Sequence, residues 1–265
     1  MKHFLTMLLI ATCLVSQSQD AKHQDVNYNV GIQSFGFRNF DLEHTLNACN
    51  KMGITHVEFF SKHISEDGDV KEYKRLLKKY GITASGFFVN KSSDNYEGNK
   101  VHFEFAQKMG YRIIMIGQLF KNAQESLNKL CEEYPDIRIA VHNHGPEDPQ
   151  GAMAEMDALL EGFHQHVGVC IDSGHVMRSH EDPVKWVRNF KGRVYGVHMK
   201  EYHGQEPLSE KNKLDLKGFI NELRVAGFPN YGTFTVEYEG TPDNPVENIE
   251  ASVKYVHKVY NSIYK

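Results

Sequence analysis

The chain has 265 residues, a formal net charge of −4 at pH 7 and fifteen histidines. With 40% hydrophobic and 24% charged residues, it has the composition of a globular protein of one large domain or two small ones. Its 34 acidic residues outnumber 30 basic ones, which argues against a nucleic-acid-binding protein, and no apolar run reaches the roughly 18 residues of a membrane span. The histidines are the unusual feature, because a cluster of them would indicate a metal or proton-transfer site.

The first residues have the pattern of a secretory signal peptide. Lys2 precedes the apolar stretch Phe4–Val15, and the small residues Ser16 and Ser18 follow it. We predict a signal peptide over residues 1–18 and export, most simply to the periplasm. A buried N-terminal helix is the alternative interpretation.

From Asn29 onward, short β-branched or aromatic runs alternate with amphipathic stretches. The predicted strands are Val30–Phe35, Thr55–Phe59, Thr83–Val89, Arg112–Ile116, Arg138–His144, Gly168–Asp172, Val194–Met199 and Thr233–Tyr238. The predicted helices are Leu42–Met52, Val70–Tyr80, Lys100–Met109, Ala123–Tyr134, Ala152–His164, Pro183–Phe190, Leu216–Ala226 and Val246–Tyr260. Several of these helices are followed by a glycine, the residue preferred where a helix ends in a left-handed conformation: Gly53, Gly81, Gly110 and Gly227.

Eight strand–helix units in about 240 residues predict a single (β/α)8 TIM barrel over residues 27–265. An open doubly wound sheet is the alternative, but it usually has fewer strands and a glycine-rich phosphate loop after the first one. The segment Gln33–Phe37 does not have that pattern. No linker or low-complexity tract divides the chain.

Imidazole and carboxylate groups recur at the carboxyl ends of the predicted strands, together with one lysine: Glu58, His142, His144, Asp172, His175, His198, Lys200, Glu237 and Glu239. A barrel brings these ends together around one axis. Imidazole and carboxylate ligands suit Zn²⁺, Mn²⁺, Fe²⁺ or Co²⁺. We therefore predict a divalent metal cofactor (Mn, Zn, Co, Fe or Mg) or an acid–base site at this end of the barrel.

Each of these residues also has a simple structural explanation. A single histidine at a strand end is usually a core or rim residue, Glu58 or Glu239 could pair with a nearby cation, and Asp172 could cap a helix. Four successive strands that each end in a potential ligand favour a functional site over these separate explanations.

The motifs resemble those of the xylose isomerase-like TIM-barrel superfamily, in particular its sugar phosphate isomerase/epimerase group. The resemblance runs from about Asn29 to the C-terminus and is carried by 31–34 (GIQS), 57–58 (VE), 142–145 (HNHG), 172–175 (DSGH), 197–201 (VHMKE) and 236–237 (VE). It implies that Asp172, His198 and Glu237 bind a metal. The strand-five ligand of the group is usually a glutamate, whereas this chain has His142, with His144 two residues later. Similar His-Asn-His versions occur in inosose-dehydratase-like members and in exported relatives that act on 3-keto-glycosides.

The resemblance implies removal of a proton α to the carbonyl of a small-molecule sugar or keto-glycoside. The implied catalytic residues are His144, Glu237, His142 and Lys200, the implied metal ligands are His142, Asp172, His198 and Glu237, and the implied substrate-binding residues are Glu58, His175, Lys200 and Glu239. Loss of a β-substituent would make the protein a 3-keto-glycoside lyase in carbohydrate degradation, whereas reprotonation would make it a sugar isomerase or epimerase. The third alternative is a non-catalytic exported barrel that binds glycans or a partner. The sequence leaves the oligomeric state open, a homo-oligomer included.

Overall fold

The computed structural model of the protein describes residues 28–241 and 243–264. The predicted signal peptide at residues 1–18 lies outside these residues and stays a prediction. Within the described chain, eight parallel strands pair in sequence order and the last pairs with the first, which closes the sheet. The predicted (β/α)8 barrel is confirmed.

The strands and helices alternate along the described chain. The strands are β1 (Asn29–Gln33), β2 (His56–Phe59), β3 (Thr83–Lys91), β4 (Ile113–Gln118), β5 (Arg138–His142), β6 (Val167–Asp172), β7 (Val194–Met199) and β8 (Thr233–Val236). The α-helices are α1 (Leu42–Lys51), α2 (Val70–Tyr80), α3 (Tyr96–Met109), α4 (Gln124–Glu133), α5 (Met153–Leu160), α6 (Ser173–Arg178), α7 (Pro183–Asn189), α8 (Leu216–Val225) and α9 (Val246–Tyr264). None of these helices is both long and apolar enough to cross a bilayer.

The strand pleat places the polar residues of the strand ends inside the barrel. Side chains alternate between the two faces of a strand. The apolar residues Val141, Ile171 and Val197 are fully buried in the main hydrophobic core. Their neighbours His142 and His198 therefore point to the other face, towards the barrel axis, where the two rings lie 4.7 Å apart.

Several element boundaries near the site differ from the prediction. β8 ends at Val236, so Glu237, which was predicted to lie on this strand, follows it. α6 was not predicted, and it begins directly after β6 because Asp172 Oδ1 caps it by accepting a hydrogen bond of 2.8 Å from the His175 amide. β5 ends at His142, so the predicted placement of His144 on this strand is wrong and His144 lies in the following loop.

The side chain of Asn143 explains why β5 ends there. Asn143 is fully buried, its Oδ1 accepts a hydrogen bond of 2.8 Å from the Asp172 amide, and its Nδ2 faces the Asp172 carbonyl oxygen at 3.4 Å. A side chain thus replaces the backbone pairing between β5 and β6, and it fixes the backbone of Asp172.

We predict that Asn143→Ala lowers the free energy of unfolding by about 1–3 kcal/mol, because it leaves the buried Asp172 amide without its acceptor. Urea denaturation measures the change. Asn39→Ala is the matched control, since Asn39 is exposed and its side chain bonds to Asp243, which is also exposed. Equal stability of the two variants would contradict the assignment.

Candidate active site

The four predicted metal ligands lie together at the carboxyl ends of β5 to β8. One ligand atom from each of His142, Asp172, His198 and Glu237 lies within 4.8 Å of all the others, and all four side chains are buried. His142 Nε2 lies 3.6 Å from Asp172 Oδ2, and His198 Nδ1 lies 3.3 Å from Glu237 Oε2. Two imidazoles and two carboxylates therefore converge on one point.

The donor atoms of this quartet fit a divalent cation. Among the described residues, His142 Nε2 and His198 Nδ1 are buried without a hydrogen-bond partner. A buried polar atom left unpaired costs about 1–3 kcal/mol, which coordination would offset. Mixed nitrogen and oxygen donors match the preferences of Zn²⁺, Mn²⁺ and Fe²⁺.

A carboxylate behind the quartet orients one of the histidines. Glu58 Oε1 lies 3.0 Å from His198 Nε2, and both side chains are almost completely buried. This contact leaves His198 Nδ1 facing the quartet, the arrangement by which carboxylates commonly orient ligand histidines. Glu58 is only 1% exposed, so it has little surface for the substrate contact predicted from the sequence.

Lys200 places a buried ammonium group against three carboxylates. Its Nζ lies 3.0 Å from Asp172 Oδ2, 3.2 Å from Glu237 Oε2 and 2.9 Å from Glu239 Oε1. Burial alone would lower the pKa of Lys200, but the three carboxylates raise it above its ordinary value. For Glu237, burial alone would raise the pKa, but Lys200 and His198 hold it well below its usual range. The Asp172 and Glu237 carboxylates thus stay ionised and available to a metal, whereas burial raises the pKa of Glu239.

His175 and His144 lie at the border of this cluster. His175 Nε2 lies 2.8 Å from Lys200 Nζ, and burial together with the Lys200 charge lowers the pKa of His175 to about 3. The His144 ring centroid lies 4.8 Å from that of His142, and burial with the charge of His142 lowers the pKa of His144 to about 4. Both rings are therefore neutral near neutral pH, and each can accept a proton.

An aromatic side chain forms the wall beside the quartet. The half-buried Phe88 ring lies 5.8 Å from the His142 ring, whereas its neighbour Phe87 is in the core. Gly117 makes room for Phe88, because a Cβ there would lie 2.8 Å from Phe88 Cζ.

A sequence profile described as xylose isomerase-like TIM barrel matches residues 46–259. This chain belongs to the xylose isomerase-like TIM-barrel family. A protein named inosose dehydratase from Clostridium botulinum is 25% identical over 268 aligned positions, which cover 85% of this chain and 86% of that protein.

Solved structures share the family fold. The structure of a sugar phosphate isomerase/epimerase from Parabacteroides distasonis superposes with a TM-score of 0.70 at 19% identity, covering 86% of this chain and 93% of that one. The apo structure of a 3-keto-D-glucoside 4-epimerase from E. coli gives 0.69 at 13% identity, covering 88% and 100%. These two likenesses show the fold alone.

Within this family fold, two residues that position the site were missed in the sequence. Ser173 Oγ accepts a hydrogen bond of 2.9 Å from the Lys200 amide, and it lies 2.9 Å from the Lys200 carbonyl oxygen. Gly174 allows the chain after β7 to approach closely, because a Cβ there would lie 2.5 Å from the Glu201 carbonyl oxygen and 3.1 Å from Lys200 Cε. The Ser-Gly pair after Asp172 was the available signal, but the partner of Ser173 is Lys200, which lies 27 residues later, directly after β7.

We predict that Asp172→Asn lowers affinity for a divalent ion at least about tenfold, because it removes a charged ligand. The amide oxygen can still cap α6, so the fold is kept. Isothermal titration of chelator-treated protein with Zn²⁺ or Mn²⁺ measures the change. Asp182→Asn is the matched control, since Asp182 caps α7 at the surface. Unchanged affinity of Asp172→Asn would rule out this quartet.

We predict that Lys200→Met destabilises the metal-free protein by about 3–5 kcal/mol, because it leaves buried carboxylates without their cation. It should also raise divalent-ion affinity about tenfold or more, since an ammonium no longer competes for the carboxylate oxygens. Thermal melting with chelator and with metal measures both effects, and the exposed Lys191→Met is the control. A Lys200→Met protein as stable as wild type in chelator would show that the ion pairs do not stabilise the fold.

Proposed function

We propose that this protein is a divalent-metal-dependent enzyme that removes a proton α to the carbonyl of a keto-sugar, and that it acts as a 3-keto-glycoside lyase. The observation that carries the proposal is an imidazole outside the candidate metal-ligand quartet, that of His144, whose ring centroid lies 4.8 Å from that of His142. The quartet does not need His144, whose ring is partly accessible, so a proton acceptor stands next to the place where a carbonyl would be polarised.

His142, Asp172, His198 and Glu237 would hold the ion, which when bound acts as a Lewis acid on the substrate carbonyl. In this proposal Glu58 orients His198 and does not bind substrate. His175 and Glu239 lie at the border of the cluster and bind substrate oxygens, whereas Lys200, which is only 1% exposed, holds the carboxylates in place rather than binding substrate as predicted from the sequence.

The reaction balances as a β-elimination. His144 accepts the proton from C2 of the sugar, next to the C3 carbonyl. The electron pair of that C–H bond forms the C1=C2 double bond as the C1–O1 bond breaks. The leaving oxygen takes up a proton, so the products are a free alcohol and a 2-hydroxy-enone sugar.

The named relative supports elimination over isomerisation. A dehydratase removes water, which is the same class of bond cleavage, and the inosose dehydratase matches most of this chain. Sugar isomerisation or epimerisation is the second candidate, because it begins with the same proton transfer and the buried carboxylate Glu237 also lies in the cluster.

The charges of the site favour a neutral substrate. The carboxylates of Asp172, Glu237 and Glu239 surround the ammonium group of Lys200, and the carboxylate of Glu58 lies against His198. Even with a divalent ion bound, the cations do not outnumber these carboxylates, so the site offers no net positive charge to a phosphate on the sugar, whereas a keto-glycoside needs none. We also propose export, on the signal-peptide pattern of residues 1–18.

The test uses the 3-keto form of 4-nitrophenyl β-glucoside with metal-loaded protein. We predict release of 4-nitrophenol and a 2-hydroxy-enone sugar, with at least about a hundredfold lower rate for His144→Gln. The unoxidised glucoside is the control and should release nothing, because it has no acidified C–H bond.

The alternatives give different outcomes in the same experiment run in deuterium oxide. Deuterium incorporation into the keto-sugar without release of nitrophenol would favour an epimerase and overturn the lyase. Neither release nor exchange, with any of the divalent metals, would favour a non-catalytic binding protein.

A further inference from the structure

We propose that Asp148 is a positioning residue for His144. In a ring that carries one proton, its carboxylate favours that proton on Nδ1, so that Nε2 is the nitrogen that accepts a proton. The claim that Nε2 accepts a proton from substrate rests on the proposed function. The claim that the ring proton lies on Nδ1 does not.

The ring of His144 has one buried side and one accessible side. Nδ1 is buried without a hydrogen-bond partner among the described residues, although 36% of the side-chain surface is exposed. The acid facing Nδ1 is Asp148, whose Oδ2 lies 3.6 Å away. That distance is too long for a hydrogen bond, but a small rotation of the ring would close it.

The loop that carries Asp148 holds its carboxylate in place. The Asp148 amide donates to the Gly145 carbonyl at 3.0 Å, and its carbonyl accepts from the Gly151 amide at 2.9 Å. Asp148 Oδ1 accepts from the Gln150 amide at 2.8 Å, which leaves Oδ2 for His144. The two oxygens thus have separate tasks, one within the loop and one towards the ring.

Contacts at both sides of the loop anchor it to the barrel. The buried Gln150 side chain accepts a hydrogen bond of 3.0 Å from the Leu119 amide just after β4. Ser179, just after α6, donates to the Gly151 carbonyl at 2.9 Å. Asp148 is therefore fixed relative to the strand ends that carry the metal ligands.

A neutral imidazole carries one proton, and its partners decide which nitrogen holds it. A carboxylate facing Nδ1 accepts only, so it favours the Nδ1–H form and leaves the Nε2 lone pair free. The opposite tautomer would aim an N–H at the substrate and could not remove its proton.

The test is the tautomer of His144, read by long-range ¹H–¹⁵N correlation spectra of ¹⁵N-histidine-labelled, chelator-treated protein. The signals of His144 are assigned by their loss in His144→Gln. We expect the Nδ1–H tautomer in the wild type. In Asp148→Asn, the amide oxygen can keep the Gln150 contact while its NH₂ group turns to the ring, so the Nε2–H tautomer should replace it.

Glu147→Gln is the matched control, because Glu147 lies in the same loop but pairs with Arg178, and it should leave the His144 signals unchanged. An Nε2–H tautomer in the wild type, or no change in Asp148→Asn, would overturn the proposal. If the keto-glycoside is a substrate, Asp148→Asn should also lower kcat roughly tenfold or more at nearly constant KM. If the spectra show the predicted tautomers but the protein is inactive on keto-glycosides, the inference about Asp148 holds and the proposed function is rejected.

Discussion

The buried ammonium group of Lys200 is the interaction on which the arrangement of the site depends. Asp172 and Glu237 could not share so small a volume in ionised form without it, because mutual repulsion and loss of hydration would favour their protonation. Lys200 lowers the pKa of both carboxyl groups, and both belong to the candidate metal-ligand quartet. A divalent ion held there would share these oxygens with the lysine, which would tie the charge of the site to the stability of the barrel.

Two levels of side chains form the site. The first level is the candidate metal-ligand quartet of His142, Asp172, His198 and Glu237, which are all buried. The second level lies two positions further along the chain in three cases, just beyond the strand ends: His144, Lys200 and Glu239. This spacing separates the four groups that could hold an ion from the groups beside them. After β6 the corresponding position is Gly174, where a Cβ would lie 2.5 Å from the Glu201 carbonyl oxygen and 3.1 Å from Lys200 Cε.

The sequence is sufficient to predict the barrel and the meeting of the four ligands, because both follow from regular strand–helix alternation and from the type of residue at each strand end. The sequence does not give distances across the barrel. It therefore predicts that Glu58 lies near the site, but not that its side chain contacts His198 on another strand. Asn143 and Ser173 form side-chain hydrogen bonds to backbone groups, and no pattern of residue types in the sequence indicates such bonds. The end of β5 was placed too late because that asparagine side chain, rather than a backbone group, pairs with Asp172.

The histidine at position 142 affects which residues of the site could bind a metal and which could accept a proton. A glutamate there would add another negative charge beside Asp172 and Glu237, with Lys200 as the only ammonium group in contact with them among the described residues. A neutral imidazole can bind the metal without that repulsion, but a ligand nitrogen has no lone pair left to accept a proton. Proton transfer then requires another group, and His144 lies one level above, outside the quartet. If His142 binds a metal, a second histidine two residues later would therefore supply the free imidazole that a ligand histidine cannot.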